Sequence, residues 1–307
     1  MRALAGYITQ GRLQAALIAV VAAALSLIIA PLSYLSGAAV ALVTLVSGPV
    51  AGLQVVALAT AVVLGVGLVA GGGGVIGIAY LVGVWAPIWV VAGVLRRTVS
   101  LPGALLVCGL MGAGLVALFH LLVADPGAWW REQMGQMLQQ IQGQGAELDA
   151  ATMEALGNLA SLFTGVFGAA LALSLAVTLF IARWWQAILY NPGGFRREFH
   201  GLRLDPRLNW AALLLLVGVV IVPADASPVA LHLLMVVAAL FLLQGLAVIH
   251  GGFGRLGLHA VWLVGFYFLL VLVPHVLFAM AALGFLDRWL DVRGRLPDRR
   301  ASNDDTV

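Results

Sequence analysis

The sequence predicts an all-α integral membrane protein, a polytopic bundle of about eight or nine transmembrane helices. Three observations predict it. From Leu13 to Leu95 the chain carries no Asp, Glu, Lys, Arg or His, and since about 20 apolar residues cross a bilayer as a helix, that run alone holds roughly four crossings. The 307 residues are 63% hydrophobic and only 9% charged, with mean hydropathy +1.06, where a soluble domain carries about 25% charged residues. Apolar segments then recur almost to the end of the chain, separated by Pro and Gly turn chemistry.

Taken in order, Arg2 and Arg12 precede an apolar stretch at 13–31, too long for the short core of a cleaved signal and followed by further spans. It reads as a retained first helix. After Pro31 comes 33–47, short enough to be tilted, broken or re-entrant, then 50–70 behind Gly48-Pro49 and 75–95 behind the Gly71-Gly72-Gly73-Gly74 run. Leu101-Pro102 opens 102–124, and 156–182, 209–223, 228–250 and 257–283 follow, with Pro223 and Pro228 at one break.

Orientation follows from the arginines, which account for all 16 Lys/Arg positions. Arginine concentrates in cytoplasmic loops. This places the N-terminus, Arg96 and Arg97, and the group Arg183 to Arg207 in the cytoplasm. The loop 125–155 is external, with Asp125, Glu132, Glu147, Asp149 and Glu154 against Arg131. Its Trp129, Met134, Met137, Leu138 and Ile141 are spaced for an amphipathic helix. Two readings stay open, a helix on the membrane surface with Trp129 and Trp130 at the headgroups, and a solvated helical hairpin. Three apolar segments after Arg207 would carry the tail outside, yet Arg288, Arg293, Arg295, Arg299 and Arg300 place it in the cytoplasm. Eight true spans reconcile the two, with 209–223 one candidate for not crossing fully. Beyond Pro297 the tail, rich in Asp as well as Arg, is expected to be disordered.

The domain organisation expected is a membrane region over 1–190, a cytoplasmic amphipathic elbow over 191–208, C-terminal membrane helices over 209–283 and a polar tail over 284–307. In the elbow, Asn191 to Gly194 is turn chemistry. Phe195, Phe199 and Leu202 then share one helical face, with Arg196, Arg197, Glu198 and Arg203 around the rest. This suits either an anchor on anionic lipid or a partner- or phosphate-binding elbow. On the first helix Ala15, Ala19 and Ala23 fall four apart, a smooth ridge for ordinary packing inside the bundle or for docking another membrane subunit. His250, His259 and His275 are intramembrane polar candidates.

The absences exclude classes of chemistry. No Asp or Glu stands in the middle of a span, where proton- and sodium-driven carriers usually need one. There is no GxxxxGK[ST] loop, no GxSxG elbow and no HExxH. The single Cys108 rules out an internal disulfide and a multi-Cys metal site. No catalytic residue, cofactor or metal is expected, the protein is read as a non-enzyme, and no aromatic-basic stripe points to nucleic acid.

Two stretches carry a family resemblance. Arg183-Trp184-Trp185-Gln186 through Asn191-Pro192-Gly193-Gly194-Phe195-Arg196, Glu198-Phe199 and Leu202-Arg203 is the first. The second is Gly284-Phe285-Leu286-Asp287-Arg288-Trp289-Leu290-Asp291-Val292-Arg293, from which Asp287, Trp289, Asp291 and Arg293 are singled out. Together they resemble the YybS-like family of bacterial membrane proteins, a domain of unknown function, over nearly the whole chain. The first two-thirds also resembles the substrate-binding S component of energy-coupling factor transporters. That resemblance implies six spans with both flanks cytoplasmic, and a first helix whose alanines, here Ala15, Ala19 and Ala23, meet a coupling subunit.

Two functions are therefore expected. One is a small-molecule binding or transport component, S-component-like, that relies on another membrane subunit and a separate cytoplasmic ATPase. The other is a non-transporting scaffold or regulatory membrane protein that works through its elbow and tail. The lipid bilayer is a partner in both, and no substrate is legible.

Overall fold

The computed structural model describes residues 1–71, 73–144, 149–222, 228–259 and 261–297, and among them all regular structure is helical. In chain order these are α1 (Arg2–Ile8), α2 (Arg12–Ser26), α3 (Leu32–Ser47), α4 (Pro49–Val69), α5 (Val75–Tyr80), α6 (Ala86–Thr98), α7 (Leu101–Leu122), α8 (Pro126–Gly143), α9 (Ala150–Ala160), α10 (Phe163–Tyr190), α11 (Gly194–His200), α12 (Pro206–Ile221), α13 (Val229–Arg255), α14 (Val261–Leu272), α15 (His275–Leu290) and α16 (Val292–Arg295). A π-helical turn, Leu81–Trp85, joins α5 to α6 into one rod, Val75–Thr98.

That rod, α4, α7, α10 and α13 are the 5 helices long and apolar enough to cross a membrane, 6 if α14 and α15 count as one span. Helices α2, α3 and α12 are apolar but shorter. The set fits a membrane-embedded all-α protein. Each expected apolar segment contains a helix, with one marked difference. The segment expected at 257–283 is no single span, because α14 and α15 are bent 117° apart. Pro274 supplies the reason: it lacks the N–H that would continue the ladder, and its ring disfavours helical geometry at Val273. The loop 125–155 folds as a hairpin of α8 on α9 among the described residues. Its Trp129, Met137 and Ile141 remain exposed.

The chain divides into two compact units, which interleave along the sequence. Gly72, Glu147, Pro223 and the disordered end expected beyond Pro297 lie outside the described residues. The described part of the 284–307 tail is ordered, since α15 runs through Gly284 to Leu290 and α16 follows.

The first unit comprises Met1–Cys108, Leu173–Asp205 and Phe241–Val307. Its centre is α3, buried continuously from Ser36 to Leu45 and packed by α2, α4 and α6. A helix apolar on every side has no face for water, and here it is enclosed by other helices. Between apolar helices in lipid, association rests on close packing and interhelical hydrogen bonds. Both are present. Ser36 Oγ donates to the Ala19 carbonyl at 2.7 Å and accepts from Trp85 Nε1 at 3.0 Å, tying α2, α3 and the π turn together. Arg96 at the end of α6 donates through Nη1 to the Leu45 and Val46 carbonyls, which the last turn of α3 leaves unpaired. Helices α13 and α15 meet backbone to backbone. A side chain at Gly245 would strike the Met280 carbonyl, and one at Gly284 would strike that of Phe241.

The second unit comprises Gly109–Ala172 and Pro206–Leu240. Val116, Ala172 and Val236 form its core with Leu233 against them. Asp125 caps α8 by accepting from Ala128 N at 2.8 Å, and Asp149 caps α9 by accepting from Thr152 N at 2.8 Å. Trp130 stacks between Phe119 and Phe167, at ring separations of 5.6 and 5.1 Å, and donates from Nε1 to Thr164 Oγ1 at 2.9 Å.

Candidate functional site

The two stretches singled out in the sequence come together in the first unit. The elbow begins where α10 stops. Asn191 and Gly194 close a turn through Gly194 N to Asn191 O at 2.9 Å, and Gly193 sits at φ +80, a left-handed conformation that favours glycine. Arg197 reaches back to Asn191 Oδ1 at 3.3 Å. The turn reverses the chain so that α11 lies along the end of α10. There Phe195 and Phe199 pack on Phe180, at ring separations of 5.6 and 5.4 Å. Arg183 on α10 grips Glu198 on α11 with two donors, Nε to Oε2 at 2.9 Å and Nη2 to Oε1, and gives Nη1 to Gln186 at 2.8 Å.

The C-terminal stretch closes over this elbow. Arg293 and Asp287 form an ion pair at 2.7 Å whose side chains are 6% and 1% exposed. Arg293 also donates from Nη1 to the His200 carbonyl at 2.7 Å and from Nη2 to the Leu202 carbonyl at 2.9 Å. One guanidinium thus satisfies the last carbonyl of α11 and the Leu202 carbonyl just beyond it. Arg255, the last residue of α13, donates to the Arg293 carbonyl. Gln244 adds a second bridge, accepting from Leu204 N at 2.8 Å and donating to the Gly284 carbonyl at 2.7 Å. Arg203 pairs with Asp291, which ends α15 at φ +42. Trp289 lies half-exposed against Phe285, ring to ring at 5.0 Å.

The result is a folded cap with a basic outer surface. Asp287 is buried, and Glu198 and Asp291 are paired, while Arg196, Arg197, Arg288 and Arg295 are exposed. Two buried polar atoms in the cap, Asp287 Oδ1 and Arg293 Nε, have no protein partner.

The remaining predicted residues fall elsewhere. Ala15, Ala19 and Ala23 are buried, where α2 packs on α3 and α4. Of the two uses weighed for this ridge, packing inside the bundle is the one these contacts display. His250 lies near the cap, its Nδ1 donating to the Leu246 carbonyl at 2.9 Å and its Nε2 accepting from Tyr267 Oη at 3.3 Å. His259 accepts from Val261 N at 3.2 Å at the start of α14. His275 is exposed on α15, and its side chain makes no hydrogen bond among the described residues.

Two further histidines, which the sequence places within or at the ends of apolar segments, form a pair. In the second unit His120 Nε2 lies 2.9 Å from His232 Nδ1, and His232 Nε2 lies 3.1 Å from the Ser161 carbonyl. A carbonyl only accepts, so in the neutral pair His232 donates from Nε2 and accepts from His120. The available signal was positional: His120 closes one apolar segment and His232 opens another. No three His, Cys, Asp or Glu among the described residues are placed to hold a metal ion.

Comparison with family models, with curated proteins and with solved structures finds no match.

Proposed function

We propose that this chain is a multi-pass protein of the bacterial inner membrane that acts as a regulatory or scaffolding component, presenting the cap of elbow and C-terminal stretch as a basic platform for an acidic protein partner. The observation that carries the reading is the Arg293 guanidinium on Asp287, His200 and Leu202, which makes one rigid surface of two stretches with arginines on its outside. A buried ion pair contributes little net stability, so its use here is to hold a surface in one geometry. The resemblance to the YybS-like family is compatible with this reading and adds no activity to it.

The same contacts support a topology of eight crossings with the cap in the cytoplasm. Arg255 at the end of α13 and Arg293 beyond α15 meet the elbow on one face, so the chain between them makes no net crossing. The bent pair α14–α15 is then re-entrant, and α12 crosses with α13. On this count α2, α3 and α12 cross despite their length, which a locally thinned bilayer and flanking residues accommodate.

The transport reading, with an S-component-like docking ridge and a separate ATPase, stands second because the ridge is filled by α3 and α4. Co-purification separates the two. Arg196→Glu with Arg197→Glu should abolish capture of the partner while the protein still inserts and elutes as a single species. If the double variant retains every protein that accompanies the wild type, the platform is wrong. If a coupling subunit and an ATPase accompany both, the transport reading replaces it.

A further inference from the structure

A pocket in the first unit lies beside the cap, with a volume of about 340 Å³ and a lining of Leu45, Leu95, Arg96, Val99, Arg183, Gln186 and Glu198. That volume falls within the size range of small-ligand sites, roughly 300–1,000 Å³. Two guanidiniums reach it. Arg96 spends only Nη1 on protein, leaving its Nε and Nη2 donors without an acceptor among the described residues. Arg183 is held in place by Glu198 and Gln186. Leu45, Leu95 and Val99 supply an apolar side, so the pocket suits a group with an anionic head and an apolar stem.

Val99 is a second, independent observation. It ends α6 at φ +51, a left-handed conformation that a β-branched residue rarely adopts, and it is 84% exposed. Neither burial nor a side-chain hydrogen bond accounts for valine at this strained position. Such strain concentrates at ligand clamps, and here it sets an apolar side chain on the pocket's rim.

We propose that this pocket binds a phosphate-bearing anion, the phosphate held by the free donors of Arg96 with Arg183 behind it, and the organic part resting on Leu45, Leu95 and Val99. Two sources present this chemistry, the headgroup of an anionic phospholipid and a soluble phosphate. The site does not depend on the protein-binding platform and survives if that platform fails.

The test uses the full chain in nanodiscs of phosphatidylcholine doped with phosphatidylglycerol, with native mass spectrometry of the lipid retained on release. A parallel thermal-shift titration uses inorganic phosphate. The wild type should retain phosphatidylglycerol over phosphatidylcholine, or be stabilised by inorganic phosphate, and the arm that responds identifies the source. Arg96→Gln should weaken that response about tenfold, while Arg97→Gln, outside the pocket, should leave it unchanged. Because Arg96 also caps α3, a gain-of-binding variant guards against a folding artefact. Glu198→Gln removes the competing carboxylate from Arg183 and should strengthen the response severalfold. Equal losses in Arg96→Gln and Arg97→Gln would mean general charge attraction and overturn the proposal. So would no response in either arm, or a Glu198→Gln variant that binds no better than wild type.

Discussion

Asp287 and Arg203 both form ion pairs, and their surroundings separate what the pairs are worth. Asp287 faces Arg293 out of reach of water, so Asp287→Ala leaves a buried guanidinium charge without its partner. That should destabilise the protein by about 3–5 kcal/mol. Arg203 and Asp291 sit at the surface, with half of each side chain exposed. Arg203→Ala should therefore cost about 1 kcal/mol or less. Thermal unfolding in detergent, run side by side, checks both, and near-equal losses would mean that the cap is not closed as described. The histidines show the limit of reading single residues. His250, His259 and His275 stood out as ionisable groups in or beside apolar segments, and so did His120 and His232, whose pairing across 112 positions of sequence no spacing reveals. Which face of a span meets which neighbour is not written in hydropathy, because every face of such a helix is apolar.

Among the elements, α13 and α15 depend on their glycines. At Gly284 a methyl group would land on the Phe241 carbonyl, a backbone atom that cannot swing aside. Gly284→Ala should cost about 1–3 kcal/mol through forced separation of the helices, seen as a lower unfolding temperature, while Gly265→Ala on α14, with open space around it, should be nearly neutral. Helix α9 carries a pH dependence. Hydrogen bonds from the Thr152 side chain and backbone N–H hold the Asp149 carboxyl below its ordinary value. The cap's contribution is therefore complete above the ordinary carboxylate pKa and disappears as pH falls through the lowered one. The protection of the Thr152 amide, its exchange rate relative to an unstructured amide at the same pH, should fall on acidification, and an Asp149→Asn variant should show no such change. The helices themselves were legible, since length and apolar composition suffice to mark a span. The bend at Pro274 was not, because proline inside a membrane helix is often absorbed by neighbouring groups.

For the whole molecule the decisive quantity is the side on which each loop lies. With Cys108 buried, single cysteines placed by substitution report accessibility. Arg295→Cys and Leu258→Cys should react with an impermeant maleimide only after the membrane is opened, and Val222→Cys should react in intact cells. Labelling of Arg295→Cys from outside would remove the eight-crossing topology and place the cap in the wrong compartment for the proposed partner. Charge counting already raised the conflict, since the arginines of the tail and the number of apolar segments disagreed about its side. It named 209–223, the shorter run, as one candidate for not crossing fully, whereas the bend falls in 257–283. The joining of elbow and tail was beyond any linear reading: Arg293 satisfies backbone carbonyls, which leave no trace in side-chain spacing.

The π-helical turn at Leu81–Trp85 has a consequence for how this sequence tolerates insertion and deletion. Such a turn holds one residue more than an α-helical turn, so it acts as a phase shift of about 100° between the two halves of the rod. Upstream, Tyr80 bonds with Ser26; downstream, Trp85 is timed to meet Ser36. Excising Gly83, which has open space around it, would restore plain α-helix and yet rotate one set of contacts away from its partners. The shortened rod would be the more regular helix and the worse fit, so related chains should keep the residue count between Tyr80 and Trp85 more strictly than the residues themselves.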